Sequence, residues 1–186
     1  QVDPAPVVAA ERAFAADARV KKVTVSMMDS SNVVLIATSD GRLVEDHQPM
    51  TRLWLSCVAE AGGRREQNGY NVSGRQGFDF YTPERLDRLV AEAVGRTTIL
   101  FDAVESPIGE MPVVLAAGSS GILLHEAIGH GLEADFNRKG ISIYADRIGK
   151  PIAKPFVSIV DDGTQPGARG ALHVDDEGNA KERPLL

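Results

Sequence analysis

Two of the chain's four histidines, His125 and His130, stand five residues apart in Gly121-Ile-Leu-Leu-His-Glu-Ala-Ile-Gly-His-Gly-Leu-Glu133, and Glu126 directly follows the first. Neutral imidazoles are good metal ligands, and a carboxylate beside them can take a proton from a metal-bound water. The familiar zinc helix places its histidines at i and i+4, on one face. Here the spacing is i and i+5, which on a regular helix turns the rings about 140° apart. Two local structures would bring them together. One is a single widened π-type turn. The other is a helix that ends near Gly129, so that His130 enters from a turn. Gly129 and Gly131 flank His130 and tolerate either distortion. The spacing alone also leaves open a core histidine, a surface histidine and an ion pair through Glu126. Glu133 could contact a metal, orient the His130 ring from behind, or face solvent. Asp135, Asn137 and Arg138 follow as a polar run, read as a solvated turn or as one wall of a substrate groove.

The elements around this stretch read as an α+β chain. Pro4 to Ala18 has helical apolar register, with Asp3 as a candidate N-cap. Val23–Met27 and Asn32–Ala37 alternate as strands, separated by a polar turn at Asp29-Ser-Ser31. Asp40-Gly41 signals a hairpin, Thr51–Glu60 a half-buried strand, and Ala61-Gly-Gly63 a second hairpin into Arg64–Asn68. Gly69 to Gly77 reads as a glycine-rich loop. Thr82-Pro83 opens a helix to Val94, with Gly95 as its terminator, and Thr97–Ala103 reads as a short strand. Glu105–Gly109 is a linker, dividing residues 1–104, an antiparallel-sheet domain with flanking helices, from residues 105–186, the start of a β-rich second domain that bears the histidine helix. Within the latter, Met111–Ala117 and Pro155–Val160 read as strands, and Ile122-Leu-Leu124 as a buried first helical turn.

The 186 residues suffice for cores of this size, and 43% hydrophobic with 25% charged residues is a soluble globular composition. The net charge of −6 argues against nonspecific attraction to nucleic acid or anionic membrane. Cys57 is the one cysteine, so no internal disulfide forms; its place in an apolar strand reads as core packing. Asp161-Asp-Gly163 and Asp175-Asp-Glu-Gly178 lack the spacing of a calcium loop and read as turns. The chain begins at Gln1 with no signal-peptide pattern and is expected to be an internal piece of something longer.

The run from His125 to Gly140, together with Gly109-Glu-Met-Pro-Val-Val-Leu115, Val160-Asp-Asp-Gly-Thr164, Val174-Asp-Asp-Glu-Gly178 and Arg64-Arg-Glu66, closely resembles the TldD/PmbA family, also called modulators of DNA gyrase. The resemblance covers nearly the whole chain. In that family the catalytic subunit carries H-E-x-x-x-H and its partner lacks it, so this sequence resembles the TldD-type subunit. The resemblance implies a cytoplasmic zinc metallopeptidase that cleaves unfolded or extended peptides, in a heterodimer with a PmbA/TldE-type subunit; an extended substrate is expected to dock by adding a strand to an exposed sheet edge. Carried over to this sequence, His125 and His130 bind Zn²⁺ and Glu126 activates water. The family's third ligand is a cysteine near the far C-terminus, beyond Leu186, so this chain by itself is expected to be inactive. The alternative is a non-catalytic binding or regulatory module, such as a gyrase modulator.

Overall fold

Alternating apolar residues pair in sequence order to build the central sheet. A computed structural model describes residues 4–182. Strands β1 (Val20–Ala37), β2 (Leu43–Ala61) and β3 (Arg64–Gly74) form an antiparallel meander in the order β1-β2-β3. Gly62 and Gly63, at φ +57° and +76°, supply the two left-handed positions of the β2–β3 turn. Helices α1 (Ala5–Ala16) and α2 (Pro83–Thr98) complete the α+β fold expected from the sequence. The period of two in β2 turns Leu53, Leu55, Cys57 and Ala59 into the core, each with no exposed surface. Against them α2 sets Leu86, Leu89, Val90 and Ala93, and α1 sets Ala5, Ala9 and Ala13, a stripe of small side chains on one helical face. The Thr82 hydroxyl accepts the Arg85 N–H at 3.4 Å, the expected N-cap of α2. Asp3, the candidate cap of α1, lies outside the described residues.

Several local expectations are corrected. The polar turn expected at Asp29–Ser31 is continuous strand, with Asp29 opposite Thr51 and Ser31 opposite Pro49. At this level both strands have run past β3, whose pairing with β2 stops at Thr51 and Gly74. Polar residues and a proline are tolerated there because β2 has become an edge. The loop expected from Gly69 is the second half of β3. A Cβ at Gly69 would come within 2.6 Å of the Leu55 carbonyl oxygen and 2.9 Å of the Trp54 ring, so this glycine answers to close packing within the sheet. Gly95 does not end α2, which runs on to Thr98 and into a 3-10 turn at Ile99–Asp102 where a strand was expected. Buried Thr97 anchors this extension, its hydroxyl donating to the Ala93 carbonyl at 2.7 Å.

The chain separates into two compact units. One comprises the sheet and its helices together with a segment that starts at Val160; the other spans Ser106–Ile159. Arg75 fastens the returning segment to the sheet unit. Its guanidinium donates to both oxygens of Asp46 at 2.8 Å and to the Ala171 carbonyl at 2.8 Å. Both side chains of this ion pair are nearly inaccessible, and His173 Nδ1 lies 3.0 Å from Asp46. Burial raises the Asp46 pKa, but hydrogen bonds from Gln48 and Arg75 and the nearby positive charges outweigh it and hold the carboxyl below its ordinary range. The stretches Met111–Ala117 and Pro155–Val160, expected as strands, are not strands, and Val113, Val114 and Leu115 are exposed. A run of apolar residues becomes a strand only where a partner accepts its backbone bonds. Among the described residues, no helix is long and apolar enough to cross a membrane.

Candidate metal centre

The helix that carries His125 is short. Helix α3 (Gly121–Ala127) stops at Ile128, whose φ of −129° leaves helical geometry, and His130 sits in the 3-10 turn Gly129–Leu132 that follows. Of the two local structures open to an i, i+5 pair, the chain uses the second. The break brings the imidazoles together with their centroids 4.5 Å apart and planes at 69°. Ligand atoms of His125, Glu126 and His130 all lie within 4.8 Å of one another, the one such group of three among the described residues. All three are exposed, and so are Ile122, Leu123 and Leu124, which correct the expected buried first turn.

Glu133 stands behind the cluster. Its carboxylate lies 2.5 Å from His130 Nδ1, and Glu126 lies 3.6 Å from Nε2 of the same ring. The Glu133 hydrogen bond raises the His130 pKa above its ordinary value; desolvation opposes this, and the charges of Glu133 and Glu126 add to it. A neutral His130 that donates Nδ1–H to Glu133 keeps its Nε2 lone pair free for a metal.

The turn after His130 is held by residues the sequence reading did not single out for this task. Asn137, on α4 (Ala134–Arg138), donates to the carbonyls of Gly131 at 3.1 Å and Glu133 at 2.9 Å. The Ser142 hydroxyl donates to the same Gly131 carbonyl at 2.5 Å and accepts the Tyr144 N–H at 3.1 Å. The Tyr144 ring lies against Gly131, where a Cβ would approach it to 2.7 Å. A glycine within an apolar helical stretch hinted at a close approach; nothing local to it identified Tyr144 as the neighbour.

The remaining candidates divide cleanly. Cys57 is sealed in the sheet core, and burial pushes its thiol up to about 11, far from the thiolate a metal prefers. Asp175 accepts the Glu177 and Asn179 N–H groups at 2.9 and 2.8 Å, and Asp162 accepts from Thr164, so both act as turn-capping acids. The amides at Gly121, Ile122 and Leu123 are engaged in turn bonds to the carbonyls of residues 118–120.

Comparison with known proteins bears on the same residues. Residues 3–101 match the family model for the PmbA/TldA metallopeptidase central domain, and residues 108–186 match that for its C-terminal domain. A metalloprotease TldD homolog of Haemophilus influenzae is 44% identical over 171 residues, covering 89% of this chain and 36% of the relative. A metalloprotease of Methanocaldococcus jannaschii is 32% identical over 170 residues, covering 91% of this chain and 37% of the relative. A crystal structure from Bacteroides thetaiotaomicron, described as a candidate modulator of DNA gyrase, superposes with a TM-score of 0.71 at 20% identity, over 99% of this chain and 42% of that one; it shares the fold. The chain thus spans little more than a third of the curated relatives it matches.

Proposed function

The chain belongs to the PmbA/TldA metallopeptidase family, and on that premise we propose that it is part of a TldD-type, zinc-dependent peptidase subunit that hydrolyses unfolded or extended peptides. The observation that supports this most directly is the convergence of His125, Glu126 and His130 within 4.8 Å, with Glu133 on the far nitrogen of His130. Two imidazoles and an adjacent carboxylate are a donor set that suits zinc, and the exposed cluster leaves room for water and a further ligand. In this reading His125 and His130 hold the metal, and Glu133 fixes the ring orientation of His130. Glu126 takes the proton from the attacking water and returns it to the departing amine. A zinc ion bound there supplies Lewis acidity, drawing the pKa of a coordinated water down to about 7. The partner is a PmbA/TldE-type subunit, and the compartment is the cytoplasm.

Elemental analysis of this chain beside His125→Ala tests the metal; bound zinc should be lost in the variant. Hydrolysis of an unstructured peptide, assayed on a version extended through the C-terminal cysteine with the partner subunit added, should disappear in Glu126→Gln while zinc is retained. Peptide cleavage that survives Glu126→Gln would remove this residue from the proton transfer. Absence of zinc both from this chain and from a version extended through the C-terminal cysteine would instead favour a non-catalytic binding module.

A further inference from the structure

A concavity of about 890 Å³ opens within the Ser106–Ile159 unit, and its wall begins two residues after His130. Its size is that of a ligand or peptide side-chain pocket. Leu132, Tyr144, Ile148 and Ile152 provide an apolar lining, and four cations, Arg138, Arg147, Lys150 and Lys154, share it. In a chain of net charge −6, four cations around one hollow are a local inversion of sign. Asp146 lies 3.4 Å from Arg147 and 3.6 Å from Lys150, which partly neutralises those two. Neither Arg138 nor Lys154 has a carboxylate at ion-pair distance among the described residues.

The wall is also part of the candidate centre. Asn137 and Tyr144 line the hollow, and the same two residues brace Gly131 and Glu133 in the turn that carries His130. A peptide held at the histidines would therefore lie beside residues that also line this hollow. An apolar lining that also carries Arg138 and Lys154 without a carboxylate partner suits a side chain with an apolar stem and an anionic tip, next to an aliphatic residue.

We infer that this concavity is a specificity subsite that selects peptides carrying glutamate or aspartate beside an aliphatic residue. The inference deepens the peptidase reading and rests on it. The test uses the 186-residue chain and two fluorescein-labelled, C-terminally amidated peptides, one built on Leu-Glu and its isostere on Leu-Gln. Binding is followed by fluorescence anisotropy in a chelator, so that the metal does not enter. The Glu peptide should bind about tenfold more tightly at low salt, and its advantage should shrink at high salt. Arg138→Glu with Lys154→Glu should abolish or reverse that preference; both residues are exposed, so the fold, checked by circular dichroism, should be kept. Equal affinity for the two peptides, or a preference that survives the charge reversal, would overturn the inference. So would a single-stranded oligonucleotide that displaces the Glu peptide, since the cations would then serve phosphate. Zinc content, read on the same preparations before the chelator is added and on a version extended through the C-terminal cysteine, separates the two claims. Zinc without acid selectivity rejects the subsite alone, and acid selectivity with no zinc in either length of chain supports an acidic-peptide site and rejects the peptidase.

Discussion

Leu55 and Leu123 are the same side chain in two different settings. Leu55 sits in β2 beneath two helices with no exposed surface, whereas Leu123 on α3 is 58% exposed. Around Leu55, an 18-residue strand and an 11-residue strand flank β2, and a 16-residue helix covers it. Around Leu123, α3 has seven residues and α4 five. Helices that short are marginal in water and are held by what they touch. What α4 and the His130 turn touch is largely polar: Asn137 and Ser142 on the Gly131 carbonyl, Glu133 on His130. The contrast teaches that one unit is organised by burial and the other by a few directed hydrogen bonds. The candidate metal ligands lie in the second.

The strongest way to break that contrast is to attack the polar exception inside the burial-driven unit. Arg75→Met leaves Asp46 buried without its counterion and should destabilise by about 3–5 kcal/mol, read by urea unfolding through Trp54 fluorescence. Next in size, Leu55→Ala should cost about 3 kcal/mol, whereas Leu123→Ala should change the same midpoint by less than about 0.5 kcal/mol. Equal costs for the two leucines would erase the distinction. Thr82→Ala should cost about 1 kcal/mol through loss of the α2 cap. The smallest effect concerns acid. The Asp46 pKa in the folded chain lies below its ordinary 3.8. Its contribution is therefore complete above that value and is lost as pH falls through the lower, folded value. Trp54 fluorescence during acid titration should show a shallower stability loss below about pH 4 in Asp46→Asn than in the parent chain.

The candidate site residues were legible early because they announce themselves by type. His125, Glu126, His130 and Glu133 were named from their order in the chain, and the structure brings all four into one cluster. Their geometry was not legible, since an i, i+5 pair fits two local structures and the choice fell to the backbone at Ile128. Glycine misled in a consistent way. At Gly69 and Gly95 it was read as a local breaker, yet the first is close packing against Trp54 and the second is overridden by buried Thr97.

By itself the sequence determined what depends on a few neighbouring dihedrals and side chains: the Gly62-Gly63 turn, the Thr82-Pro83 helix start, the turn-capping aspartates and the identity of the candidate ligands. Tertiary structure decided how far β1 and β3 run, where α2 stops, which apolar runs become core, and that Arg75 ties Ala171 and Asp46 together across many residues of chain. The division has a physical origin. Turn and cap energies are settled within about one turn of backbone, while strand pairing and burial take their sign from partners distant in sequence, which no local pattern specifies.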